Sequence, residues 1–252
     1  MASQGSGGAN LVFILGMPRS GTTLCEQVLS VKSGVLACGE LDAVGHIESS
    51  FARRGVNPYV AGKEVEKAAE LYLSALSKNY QKFQLITDKA PMNFERIGLI
   101  HLMFPKARFL YCTRHPLDTI LSCFMQNFQA GMKFSLDLEY ITKVYIAHVR
   151  IMKHWMKLLP GQIHIADYEQ YIANQEAETR NMAEFLNLDF EERMLTPHLQ
   201  ERVVVTASNL QVRKAVYSSS IGRWKNYQSQ LAGVINLLQK EKVLDAELNS
   251  LL

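Results

Sequence analysis

A chain of 252 residues with 48% hydrophobic and 20% charged side chains has the composition of a globular protein, with enough apolar material for one substantial core. A formal net charge of +3, with no long Lys/Arg run, argues against a nucleic-acid-binding surface, and no apolar run reaches the length of a membrane span. The opening residues 1–10, MASQGSGGAN, lack the charged and apolar regions of a signal peptide and read as a flexible lead-in or linker, which leaves 11–252 as one domain.

In chain order, five short apolar runs predict strands: Leu11–Leu15, Val35–Cys38, Gln84–Thr87, Arg108–Cys112 and Gln162–Ala166. Several are apolar on both faces, as in a buried parallel sheet. Helical patterns fall between and after them, over Thr22–Val31, Glu64–Tyr80, Phe94–Met103, Leu117–Gln129, Leu138–Leu158, Gln175–Leu186 and Leu231–Leu252. Pro116 opens one helix, Pro105 follows the end of another, and Pro160-Gly161 stops the long one. This alternation predicts an α/β fold of three layers, a central parallel β-sheet with helices on both faces, whose ligands bind at the carboxyl ends of the strands. The four cysteines, Cys25, Cys38, Cys112 and Cys123, form no C-x-x-C pair and no zinc spacing. They read as buried free thiols, and therefore point to a reducing, cytoplasmic setting.

Chemistry concentrates just after the strands. Leu11–Gly21, LVFILGMPRSG, followed by Thr22-Thr23, is a strand, a glycine turn and a helix start, the arrangement by which backbone N–H groups cradle a phosphate. The lysine of the nucleotide-triphosphate loop is missing: Thr22 stands in its place, and the turn carries Arg19 instead. Asp88-Lys89-Ala90-Pro91 follows the third strand. Lys89 is a second cation for the phosphate, while Asp88 sits where a P-loop enzyme would hold Mg²⁺. After the fourth strand, Arg114 and Ser122 pair a charge with a hydroxyl donor for one phosphate, and His115 reads as structural. Glu40, just after the second strand, is the general-base candidate, with His46 as a fallback. The polar stretches Thr206–Arg213 and Ser219–Lys225 read as a loop folding over a ligand. Gly45–Gly62, with Phe51, Arg53, Arg54 and Tyr59, is expected to wall an acceptor site.

Together these segments resemble the sulfotransferases that use 3′-phosphoadenosine-5′-phosphosulfate (PAPS). The resemblance is closest to the bacterial group often fused behind tetratricopeptide repeats, and more distant to tyrosylprotein sulfotransferases. It spans Leu11 to Tyr227 and rests on GMPRSGTTL (Gly16–Leu24), CGEL (Cys38–Leu41), DKAP with Asn93, RHPLDTILSCF (Arg114–Phe124), DYEQ (Asp167–Gln170), TASNLQV (Thr206–Val212) and GRWKNY (Gly222–Tyr227). The resemblance implies that Arg19, Ser20, Gly21, Thr22 and Thr23 hold the 5′-phosphosulfate and that Arg114 and Ser122 hold the 3′-phosphate. Tyr168, Ser208 and Arg223 complete the nucleotide site. Lys89 neutralises the bridging oxygen and Glu40 acts as base. Glu40 is followed by Leu41, where the tyrosylprotein pattern has a second acid, so the register of the base stays open by one residue.

The reaction implied is in-line transfer of a sulfuryl group from PAPS to a hydroxyl, leaving adenosine 3′,5′-bisphosphate (PAP), with no metal. The acceptor is open among a small molecule, a glycan, a lipid and a peptide tyrosine, and the resemblance implies an upstream tetratricopeptide domain in a longer parent chain. Two other readings stand beside it: a P-loop kinase using ATP and Mg²⁺ with Asp88 as ligand, and a nucleotide-binding module without activity.

Overall fold

A computed structural model describes residues 7–126, 128, 132–199 and 220–244. Five strands, β1 (Leu11–Gly16), β2 (Val35–Ala37), β3 (Leu85–Lys89), β4 (Arg108–Thr113) and β5 (Ile163–Asp167), form one sheet in the order β2-β3-β1-β4-β5, and every pair is parallel. Nine helices are described: α1 (Thr22–Ser30), α2 (Ala43–Arg54), α3 (Gly62–Ser74), α4 (Ile97–Met103), α5 (Pro116–Phe124), α6 (Leu138–Leu158), α7 (Tyr168–Ala173), α8 (Gln175–Phe185) and α9 (Ala232–Lys240).

The three layers follow from the two-residue period of β1. Leu11, Phe13 and Leu15 point into one core, shared with residues of α2, α3, α4, α5, α6 and α9. Val12 and Ile14 point into the other, against Cys25, Val28 and Leu29 of α1, Tyr171 of α7, and Met182 and Ala183 of α8. All six residues of β1 are buried, which is why this strand reads as a continuous apolar run and not as an alternating one. The chain runs outward from β1 to one side, returns through β3, and then crosses to β4 and β5 on the other side. Such a reversal opens a crevice at the carboxyl end of the central strand, where Gly16 lies between the ends of β3 and β4.

Several elements differ from the sequence-based expectation. The segment that begins with Asp42 forms α2, a mostly polar helix that buries Val44, Ile47 and Phe51. Phe51 therefore belongs to the core. Helix α3 ends at Ser74, and a 3-10 turn over Pro91–Arg96 precedes α4. The short α7 starts at an Asp167 cap, whose side chain accepts from the Gln170 N–H at 2.8 Å, and it is separate from α8 because Asn174 between them is non-helical, with φ −139° and ψ 54°. Helix α9 packs against α6 and ends at Lys240, residues 241–244 form a turn and bend, and 245–252 of the expected helix lie outside the described residues. Cys25, Cys112 and Cys123 are buried, Cys38 is half-buried, and none of the four is in a disulfide.

Candidate active site

The turn between β1 and α1 is shaped by three positive φ angles, at Gly16 (145°), Arg19 (73°) and Gly21 (103°). A Cβ on Gly16 would stand 2.4 Å from the Cys112 carbonyl oxygen, and one on Gly21 would stand 3.1 Å from the Tyr168 ring. Glycine at these positions lets β4 and α7 close on the loop. Arg19 holds a left-handed conformation that a side chain disfavours, a form of strain that concentrates at functional turns. Gly21 is the N-cap of α1 and has no side chain to cap it, so the start of the helix is directed at the turn. Ser20, Thr22 and Thr23 are buried around this turn.

Two arginines meet there. Arg19 Nε donates to Ser122 Oγ at 3.0 Å. The Arg114 guanidinium donates to the Arg19 carbonyl at 3.1 Å and to the Ser220 carbonyl at 2.6 Å, and it lies 4.9 Å over the Tyr168 ring. The Tyr168 hydroxyl is 2.9 Å from Ser220 Oγ. The turn that carries Arg114 is pinned by Glu169, which accepts the His115 N–H at 3.1 Å. Burial pushes the Glu169 carboxyl up and the His115 imidazole down from their ordinary values. Beside the loop, Leu24, Cys112, Ala166, Tyr168, Tyr171 and Met182 line a pocket of about 360 Å³, open mouth included.

At the carboxyl end of β3, Lys89 is fully buried and ion-paired with Glu40, whose side chain is 45% exposed. The Lys89 N–H also donates to the Gly39 carbonyl at 2.9 Å, which ties the two segments at both backbone and side chain. By register Lys89 sits beside Ile14, on the face covered by α1. Asp88 sits beside Phe13 and faces the opposite layer, where Tyr72 of α3 donates to it at 2.9 Å. The acid considered for Mg²⁺ is thus turned away from the phosphate loop. Burial pushes its pKa up to about 7, against the opposing pull of the Tyr72 hydroxyl and the Leu41 N–H. Among the described residues no group of three or more His, Cys, Asp or Glu is placed to hold a metal.

The structure therefore brings Arg19, Ser20, Gly21, Thr22, Thr23, Arg114, Ser122 and Tyr168 to one crevice, and Glu40 with Lys89 to the strand end beside it. Arg223 is exposed on the neighbouring segment, and Ser208 lies outside the described residues. Arg54, half-exposed at the end of α2, is paired with Glu64 at 2.7 Å. Sequence reasoning missed two buried acids. Glu26 of α1 accepts both the Gly39 N–H and the Thr87 hydroxyl at 3.0 Å, so it fixes the turn that leads to Glu40. Its signal was an acid on the apolar stripe of α1, beside Cys25, Val28 and Leu29. Asp118 accepts the N–H groups of Gly222 and Trp224, and nothing in its local sequence points to that distant segment.

Comparison with known proteins decides the family, since residues 11–192 match the model described as the Sulfotransferase family. The chain belongs to the sulfotransferase family. An uncharacterized protein of Aquifex aeolicus is 39% identical over 94% of this chain, which spans only a third (33%) of that relative's length. Protein-tyrosine sulfotransferase 1 of Danio rerio is 24% identical over 85% of this chain and 65% of its own. Among solved structures, the sulfotransferase domain of the Synechococcus olefin synthase superposes with a TM-score of 0.66 at 19% identity, covering 89% of this chain and 90% of that one. Mouse sulfotransferase SULT7A1 complexed with PAP gives 0.63 at 16% identity, covering 95% and 86%. These neighbours share the parallel-sheet fold of this sulfotransferase chain.

Proposed function

We propose that this sulfotransferase domain transfers a sulfuryl group from PAPS to a hydroxyl acceptor by in-line displacement. The observation that carries the reading is the convergence of an anion-cradling turn and two arginines at one crevice, with the Lys89–Glu40 pair at the strand end beside it. In this reading the Arg19 turn and the start of α1 hold the 5′ end of the nucleotide. Arg114 and Ser122 hold its 3′-phosphate, and the base enters the pocket between Leu24 and Tyr168. Ser208 and Arg223 close the site from the C-terminal side. A mouse neighbour complexed with PAP supports the nucleotide assignment.

As the acceptor oxygen bonds to sulfur, Glu40 takes the hydroxyl proton. The bond from sulfur to the bridging phosphate oxygen breaks, and negative charge gathers on that oxygen. Lys89 and Arg19 offset this charge from fixed positions, which is where preorganised donors contribute most to rate. The buried Lys89 is well suited to the role, because a cation shielded from water acts more strongly on a neighbouring charge. The scheme asks nothing of a metal.

Calorimetric titration with PAP, and separately with ATP and Mg²⁺, tests the reading. Tight, metal-independent binding of PAP with little response to ATP is expected. Preference for ATP with Mg²⁺ would overturn the reading in favour of phosphoryl transfer. Binding of PAP without turnover on any hydroxyl acceptor would make the domain a nucleotide-binding module.

A further inference from the structure

Asp118 is a charged residue that is only 2% exposed, in the first turn of α5. An acid at this position ordinarily serves the free amides of its own helix. Helix α5 has no side-chain cap at His115, and Asp118 reaches instead across more than a hundred residues of sequence. Its Oδ2 accepts the Gly222 N–H at 2.6 Å and its Oδ1 accepts the Trp224 N–H at 2.9 Å. Gly222 adopts φ 70°, and this left-handed turn brings both amides to one side, where a single carboxylate takes them. The Trp224 ring then stacks on His115, with ring centroids 5.3 Å apart and planes 6° from parallel. Two residues before Gly222, the Ser220 carbonyl accepts from Arg114 and the Ser220 hydroxyl lies 2.9 Å from that of Tyr168.

We propose that Asp118 is a positioning residue: its carboxylate holds the 220–224 segment against Arg114 and thereby confers preference for a nucleotide that carries a 3′-phosphate. The inference rests on the nucleotide reading above. The segment is short, and Arg223 and Ile221 are exposed, so apart from Trp224, half-buried and stacked on His115, burial of apolar surface contributes little to keeping it in place. Charge-assisted bonds to a buried carboxylate do that work. A carboxylate alone satisfies both amides. An asparagine has one accepting oxygen, and whichever way its amide turns, one N–H meets another donor. Release of the segment frees Ser220 from Arg114 and so loosens the group assigned to the 3′-phosphate, leaving the Arg19 turn in place.

The test compares the full chain with Asp118→Asn and with Gly222→Ala, which disturbs the same contact from the segment side without touching α5. Affinities are measured for PAP and for adenosine 5′-monophosphate, together with acrylamide quenching of Trp224, taken as the difference from a Trp224→Phe control. Both variants are expected to weaken PAP about tenfold or more, to leave the monophosphate within about twofold, and to make Trp224 more accessible to quencher. PAP affinity within about twofold of wild type in both variants would overturn the proposal. An equal loss for both nucleotides would overturn it as well, since that is what a merely structural acid does. A wild-type chain that does not prefer PAP to the monophosphate overturns the nucleotide reading itself, and this shows before any variant is compared.

Discussion

Replacing Asp88 with asparagine distinguishes a buried structural acid from a metal ligand. Asp88 is 2% exposed, with its pKa pushed up to about 7, whereas the carboxyl of an unfolded chain titrates near 3.9. Between these values the folded protein binds the proton and the unfolded chain does not, so stability falls as pH rises through that window. A gap of roughly three units corresponds to about 4 kcal/mol in total, more than half of it lost between pH 5 and pH 8. In Asp88→Asn the Tyr72 hydroxyl keeps an oxygen to donate to, but the new amide faces the Leu41 N–H, which costs about 1 kcal/mol. The variant is therefore expected to be about 2–3 kcal/mol more stable than wild type at pH 8, near 6 °C or more in melting temperature for a domain of this size. At pH 5 the advantage should shrink to nearly nothing. Denaturant unfolding of both proteins at the two pH values is the assay. Parallel pH profiles would refute the argument, and loss of turnover with unchanged stability would return Asp88 to the reacting centre.

Glu40→Gln is expected to leave PAP affinity within about twofold while turnover falls on the order of a hundredfold, measured by calorimetry and by sulfate-transfer assay. A collapse of nucleotide affinity in that variant would refute the general-base assignment. Arg114→Ala removes the donor to both the Arg19 and Ser220 carbonyls, and titration should show PAP binding weakened on the order of a hundredfold. Gly16→Ala forces a methyl to within 2.4 Å of the Cys112 carbonyl, and thermal unfolding should show a loss of about 1–3 kcal/mol together with loss of PAP binding.

The layered fold was legible because its signals are local. Strand β1 reads as buried on both faces, and the glycine turn and Pro116 announce helix starts within a few residues. The phosphate turn was legible for the same reason: Gly16, Arg19 and Gly21 are adjacent in sequence and shape one backbone feature. Helix α2 was not legible, since AVGHIESSFARR buries only three residues and its polar face resembles a loop. The side that Asp88 faces was not legible because adjacent strand residues face opposite layers, and without the register to β1 nothing says which of Asp88 and Lys89 turns toward α1. Asp118 and Glu26 were missed because their partners lie far along the chain or on another element, and pairing of that kind is a property of the packed molecule.

In the structure the two arginines already bond within the site: Arg19 to Ser122, and Arg114 to the Arg19 carbonyl, while the Ser220 carbonyl steadies Arg114 from outside that exchange. An incoming anion thus takes part in an exchange, giving up internal bonds for external ones, instead of falling onto bare charge. A lone sulfate or phosphate that engages one arginine gains little from such a trade, because it breaks nearly as much as it makes. A ligand with two anionic groups set at the right separation satisfies both arginines in one binding event and recovers the loss. The site is therefore expected to ignore the simple anions that surround it and to answer to the spacing between charges.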